Sequence, residues 1–529
     1  MNRVAALAAG ILWLLSAAHA AEPIRYEKPT GAENFRDEMG RFVSWKTGMT
    51  TNYLKVYPPN YTGEQARPAG YCPLTTDREF NSRSAKTPAE WEKVRAQIRK
   101  QVTSYFGDVP DLKLPLDAIE DPEADKGDYV LKEVAIAFND EFRGKMVLVI
   151  PKGMPTPAPA ILLYDAWGGG IQRATEGVYS RALAIHMARQ GFVVVAMPHW
   201  NKIFGKRRDL CTMGATVHFT RRAINYLLTK KQLVHPDQIA ILGHVYGAEI
   251  AQFAAAMDDR IAAVVASCSW LGPTRPYSSA YWDPPFWADG RAMGSIIQCV
   301  ERASPEMYQS RRRVNYRPLP FLTQELLSLI PPRPYLAINH LMGAGRSATA
   351  DTSLRECLIP VYNLYKRPWA MELIEHRWGT NEPVNARDFT TDFLLRAMCG
   401  IRPGHAGAAV VKEVLADLRS GDKAKQLRAA RKAAWWRIKE GKADFSKMVG
   451  SADAPVRRAG IKALERTGDM NALFKHVAHK DPVVRMTVIE AMQLYGTEET
   501  FEILAENEMD RDRWTKEAKW QTLQVNPWE

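Results

Sequence analysis

His235-Pro-Asp-Gln-Ile-Ala-Ile-Leu-Gly-His-Val-Tyr-Gly-Ala-Glu249 is the stretch whose reading decides the fold. Ile239 to Leu242 is apolar without alternation, as expected of a short strand covered on both faces. Gly243 and Gly247 then bracket a tight turn, and an Ala-rich run from Ala248 to Met257 follows. A strand that passes through a glycine-flanked turn straight into a helix is the joint of a β-α unit.

The same alternation extends to both sides. Apolar runs at Ala160 to Tyr164, Phe192 to Met197, Ile261 to Ala266, Tyr335 to Ile338 and Ala370 to Ile374 suit further buried parallel strands. Amphipathic stretches at Tyr179 to Arg189 and Val217 to Leu228 suit helices between them. Repeated β-α units of this length predict an α/β fold: an open, mostly parallel sheet flanked by helices on both faces. Upstream, Tyr129 to Phe138 and Lys145 to Ile150 surround the turn Asn139-Asp140-Glu141 and read as an antiparallel hairpin. Thr87 to Gly107 reads as a helix, capped by Thr87 with Pro88 in the first turn. Trp270 to Pro332, dense in Pro, Trp and Tyr, interrupts the alternation. Such an insertion would lie over the carboxyl edge of the sheet, where ligands bind in this architecture.

Gly243-His-Val-Tyr-Gly247, set between strand and helix, resembles the nucleophile elbow of the α/β-hydrolase superfamily, in its dienelactone-hydrolase and acetyl-xylan-esterase-like branch. The resemblance covers about residues 127–400, and it implies a serine at the position held here by Val245. Valine has neither a lone pair nor a proton to lose. A β-branched residue is also poorly suited to the positive φ of such a turn, so Val245 either strains the turn or marks one that has relaxed. Tyr246 carries a hydroxyl next door, on a residue expected to point away from the site.

The family's histidine follows the last strand, and Leu373-Ile-Glu-His-Arg-Trp-Gly379 places His376 there. Its acid follows the penultimate strand. Here His340-Leu-Met-Gly-Ala-Gly345 carries no carboxylate, which leaves Asp351 or Glu356 as candidates after a loop detour. The loop after the first strand of the pattern reads Tyr164-Asp-Ala-Trp-Gly-Gly-Gly170, so Asp165 sets a carboxylate where the family needs anion-stabilising donors. Nucleophile, acid and oxyanion loop all depart from the pattern. Loss of the nucleophile alone costs ~10⁶ in rate in serine hydrolases.

Beyond Pro403 the composition turns to helix formers. Asp453, Val456, Arg457, Ile461, Ala463 and Leu464 recur as Asp481, Val484, Arg485, Ile489, Ala491 and Met492, each 28 positions later. This D-x-x-V-R-x-x-x-I-x-A pattern resembles HEAT-like repeats across residues 412–524, which implies a C-terminal all-α solenoid offering a surface to a protein partner.

Met1 to Ala20 reads as a signal peptide: Arg3, the apolar run Val4 to Leu15, then Ala18-His-Ala20. The run is short of the ~20 apolar residues a membrane span needs. The expected organisation is therefore 1–20 signal peptide, 21–126 N-terminal extension, 127–402 hydrolase-like domain with an insertion at 270–332, and 412–524 helical repeats. The expected product is periplasmic or secreted, with no integral membrane segment after cleavage.

Of 529 residues, 46% are hydrophobic and 25% charged, which suits globular domains with sizeable cores. The net charge of +12 is spread without a basic block, and no nucleic-acid motif occurs, so nucleic acid is not an expected partner. The six cysteines are too widely spaced for a CxxC site, and their pairing is open among ~15 possibilities. His199, His340 and His376 with Asp165 carry donors that suit zinc, but no spacing fixes a geometry, and neither metal nor cofactor is expected.

Two functions follow as expectations. The first is a degenerate, non-catalytic esterase relative that binds a small-molecule or carbohydrate-like ligand with Asp165, Trp167, Tyr246 and His199. The second is an active carboxylic or carbohydrate ester hydrolase that uses His376 with a displaced nucleophile or a metal-activated water.

Overall fold

Ala158–Tyr164 alternates between two cores: Ala160, Leu162 and Tyr164 enter one, Ile161 and Leu163 the other. Val234–His244 does the same, with Ile239 and Ile241 on one side and Ala240 and Leu242 on the other. Strands covered on both faces have no polar side to keep wet, hence the unbroken apolar runs. Each fully buried Val, Leu or Ile contributes about 1.5–3 kcal/mol.

The computed structural model describes residues 85–106, 110–165, 170–176, 183–198, 212–269, 323–340, 357–376 and 384–468, with isolated positions from 472 to 488. Residues 25–26, 45–46 and 54–57 are described as backbone, the first two pairs as a small antiparallel sheet. The strands of the main sheet are β1 (Leu54–Tyr57), β2 (Ile119–Glu120), β3 (Ala124–Asp125), β4 (Tyr129–Ala137), β5 (Arg143–Pro151), β6 (Ala158–Tyr164), β7 (Val193–Ala196), β8 (Val234–His244), β9 (Ala263–Ser267), β10 (Tyr335–His340) and β11 (Met371–His376). The helices are α1 (Pro88–Phe106), α2 (Gly170–Glu176), α3 (Leu183–Arg189), α4 (Thr212–Thr229), α5 (Tyr246–Met257), α6 (Thr323–Leu327), α7 (Val384–Cys399), α8 (Ala408–Leu418), α9 (Lys423–Trp436), α10 (Lys442–Val449) and α11 (Ala454–Thr467).

The strands lie in the order β1-β11-β10-β9-β8-β6-β7-β5-β4-β2, with β3 beside β4. From β7 through β11 the pairing is parallel, while β4 and β5 form the antiparallel hairpin and β1 runs antiparallel to β11. After β6 the chain steps to one side to form β7, then returns to build β8 on the other side. In sheets of this kind such a reversal, beyond the carboxyl ends of β6 and β8, is where ligands bind. Helices α1, α4 and α5 pack on one face, α3 and α7 on the other. This is the expected α/β architecture, a mostly parallel sheet flanked by helices on both faces.

His218 of α4 is buried, its Nε2 3.0 Å from the Phe138 carbonyl and its ring edge-on to Phe138. Burial pushes its pKa down to about 4; the Phe138 carbonyl opposes this and the Arg222 and Arg221 charges add to it. Burial likewise pushes His186 of α3 well below the usual histidine range. An unfolded histidine takes up its proton near pH 6.5, before the folded one can, so stability falls as pH drops through that value. For His218 the loss by pH 5 is about 2 kcal/mol. His218→Gln is expected to flatten the pH dependence of the urea midpoint between pH 7 and 5. An unchanged slope would remove His218 as a cause.

Helices α8 to α11 enclose a third core that includes Val414, Leu418, Phe445, Ile461 and Leu464. Asp422 caps α9 by accepting from the amides of Ala424 and Lys425, and Asp453 caps α11 by accepting from Val456. Both helices close on left-handed residues, Arg437 and Gly468. The group is fastened to the sheet domain. Trp435 packs into the core beneath α3 and α7, and its indole N–H donates to the Gln190 carbonyl at 2.5 Å. Arg437 and Arg466 meet Asp388 and Asp392, one turn apart on α7, and all four are buried. Burial opposes the Arg437 charge, but the two aspartates outweigh it and hold the guanidinium firmly protonated. Of the second repeat copy, Val484 and Val488 lie in this core; Asp481, Ile489, Ala491 and Met492 lie outside the described residues.

Residues 1–20 and the 270–322 portion of the insertion lie outside the described residues. Among the described residues no helix is long and apolar enough to cross a membrane.

Candidate functional site

At the carboxyl end of β8 two glycines lie against neighbouring backbone. A Cβ on Gly243 would lie 1.9 Å from the Gly247 carbonyl oxygen, and one on Gly247 2.1 Å from the Tyr164 carbonyl oxygen. Only glycine lets strand, turn and helix approach so closely. Between them Val245 takes φ 55° and ψ −117°. Of the two outcomes open to valine, the structure takes strain rather than relaxation. Such a conformation costs on the order of 1–3 kcal/mol.

The surroundings impose it. The Val245 amide donates to the Ser267 carbonyl at 2.8 Å, and its own carbonyl accepts from Ala248 at 2.9 Å, starting α5. One strand over, Cys268 also has a positive φ of 54° and donates its amide to the Ile338 carbonyl. The ends of β8, β9 and β10 are thus knit together by the main chain. The Val245 side chain is 1% exposed and fills the turn with hydrocarbon.

Asp165 follows β6 directly, and the register Gly243↔Tyr164 sets it beside His244. Its Oδ1 lies 3.5 Å from His244 Nδ1, and both residues are buried. His244 is thus the partner of Asp165, the carboxylate that follows β6. Below them a polar chain crosses the core: Ser269 donates to Gln252 at 2.6 Å, and Gln252 donates to the Tyr335 hydroxyl at 2.7 Å. No sequence signal singled out Gln252 or Ser269.

His376 is the last residue of β11, in register with His340 at the end of β10. Both stand at the same sheet edge as Val245. Three strand spacings separate β11 from β8, roughly 14 Å at about 4.8 Å each. The His376 and Tyr246 side chains, and the whole of Trp167, His199, Asp351 and Glu356, lie outside the described residues. The structure therefore brings together Val245, Asp165 and His244, with the backbones of His340 and His376 along the same rim.

Among the described residues, no group of three His, Cys, Asp and Glu is placed to hold a metal ion. Cys357 is disulfide-bonded, while Cys268 and Cys399 are free. Burial pushes the Cys399 thiol up to about 12, which leaves it unreactive near neutrality.

No protein-family model matches the chain. A Bacillus subtilis (strain 168) protein named "Putative hydrolase YtaP" is 25% identical over 197 residues, 33% of this chain. The chain spans 64% of that relative's length. Among solved structures, a glucuronoyl esterase from Solibacter usitatus matches with a TM-score of 0.48 at 16% identity, covering 62% of this chain and 97% of that one. An acetyl xylan esterase from Paenibacillus sp. R4 matches with a TM-score of 0.40 at 16% identity, covering 59% and 96%.

Proposed function

We propose that this is an exported esterase relative that binds rather than cleaves. Its ligand would be a small, hydroxyl-rich or carbohydrate-like molecule, held in the crevice beyond β6 and β8. One observation carries the reading: the elbow keeps its strained geometry around a hydrocarbon side chain, with a buried carboxylate, Asp165, beside it. Acyl transfer develops negative charge on the substrate oxygen. A carboxylate beside the turn offers no donor to that charge and, when ionised, opposes it. A carboxylate is instead a strong acceptor for ligand hydroxyl or amine donors.

The C-terminal helices are HEAT-like repeats on this reading. Their N-capping aspartates, Asp422 and Asp453, and their shared core support that assignment, and their outer face is the surface for a protein partner.

Purified protein is expected to hydrolyse no short acyl ester and to take no label from a serine-directed fluorophosphonate. In Val245→Ser the same frame would hold a hydroxyl at the apex, and slow labelling confined to residue 245 is expected. Robust wild-type ester hydrolysis that His376→Ala abolishes would overturn the proposal and establish an active hydrolase with a displaced nucleophile.

A further inference from the structure

Helices α8 to α10 carry positive charge out of proportion to their length. Residues 402–450 hold twelve Lys and Arg against five Asp and Glu, and so supply seven of the chain's twelve net positive charges. The fold uses only part of this. Arg431 and Arg437 are buried against the sheet domain. Arg419 pairs with Asp444 at 3.1 Å, Lys423 with Asp453 at 3.2 Å and Lys432 with Glu413 at 2.8 Å. Arg402, Lys412, Lys425, Arg428, Lys439 and Lys447 are exposed, and none of them forms an ion pair with a described residue. Lys425 and Arg428 stand one turn apart on the solvent side of α9, whose other sides meet the third core and the sheet domain.

Lysine is depleted at protein interfaces, and among the described residues no large hydrophobic side chain is exposed on these helices to act as an anchor. Such a surface suits a partner that brings the opposite charge. The chain itself carries the complement: residues 498–512 include seven acidic side chains and one basic. We propose that the basic surface of α8 and α9 docks the acidic stretch 498–512 of a second copy, head to tail. The inference rests on the reading of the C-terminal helices as stacked repeats that offer a surface to a protein. Repeats stack in chain order, each touching only its neighbours, so the first pair and the last stretch of one array stand at opposite ends. Complementary ends of that kind meet between copies, in a heterologous contact that leaves a free end on each side and can propagate.

Sedimentation velocity on the full-length protein is the test. At low salt, dimers and larger species are expected to grow with protein concentration, and raising the salt to about 0.5 M is expected to weaken association by about tenfold. Lys425→Glu with Arg428→Glu, and separately Glu502→Lys with Glu506→Lys and Glu508→Lys, are each expected to weaken it by about tenfold or more. An equal mixture of the two variants is expected to associate again, as a dimer that grows no further, because only one intact acidic stretch and one intact basic surface remain. Should a variant fail to fold, a synthetic peptide of residues 498–512 is expected to compete the wild-type association away, whereas the same peptide with its Glu and Asp replaced by Gln and Asn is not. A wild type that stays monomeric across the series would overturn the proposal, while leaving these helices open to a different acidic partner. Association that survives either set of reversals, folded variants that stay monomeric when mixed, or a peptide that does not compete would overturn it as well.

Discussion

Asp392→Ala is expected to lower the urea midpoint of the protein and to release the C-terminal helices, at a cost of about 3–5 kcal/mol. The substitution leaves Arg437 and Arg466 buried with one carboxylate between them, where two now match two. Two opposed charges removed together cost little, whereas one removed alone strands its partners in a medium that solvates them poorly. Replacing Asp388, Asp392, Arg437 and Arg466 together by apolar residues of similar size is therefore expected to recover most of the loss. Limited proteolysis between α7 and α8 reports the same event: cleavage near residues 400–407 should accelerate in the single variant and return towards wild type in the fourfold one. A single variant with unchanged midpoint and cleavage would show that the four charges do not fasten the tail.

Gly247→Ala is expected to be among the most damaging single substitutions in the sheet domain, at more than about 4 kcal/mol, with little soluble protein recovered. The new methyl carbon would sit 2.1 Å from a carbonyl oxygen of β6, a strand hydrogen-bonded on both sides. Neither backbone can retreat without opening the sheet. Gly407→Ala is the matched control. Gly407 has φ −68° and no atom within 4 Å of the added carbon, so a change of a few tenths of a kcal/mol is expected there. A Gly247→Ala protein that melts with the wild type would mean that the close approach of elbow and β6 is not what the glycine serves.

The parts of the fold legible in the sequence are those where burial dictates composition. β6, β8, β9, β10 and β11 lie in the buried middle of the sheet, so their central residues are largely apolar and their runs stand out. The helix expected over Thr87 to Gly107 runs Pro88–Phe106, because capping and periodicity agree there. The elbow was legible through its neighbours: Gly243 and Gly247 carry the geometric demand, and Val245 by itself argues against the bend it occupies.

What was not legible depends on pairings between distant residues. Asp165 and His244 are 79 positions apart and meet only because β8 returns beside β6. Asp388 and Asp392 have the spacing of a solvated helix face, and Arg437 and Arg466 read as ordinary surface cations. Their mutual burial appears only once α9 and α11 are laid on α7. Charged residues look alike in sequence whether they face water or one another.

The bend at Val245 is fixed by two glycines and by the main chain of neighbouring strands, and its own side chain supplies nothing that the bend needs. The apex is in that sense an interchangeable socket: the frame carries the shape and the occupant carries the chemistry. A change of occupant at residue 245 can therefore alter what the apex presents without refolding the molecule around it.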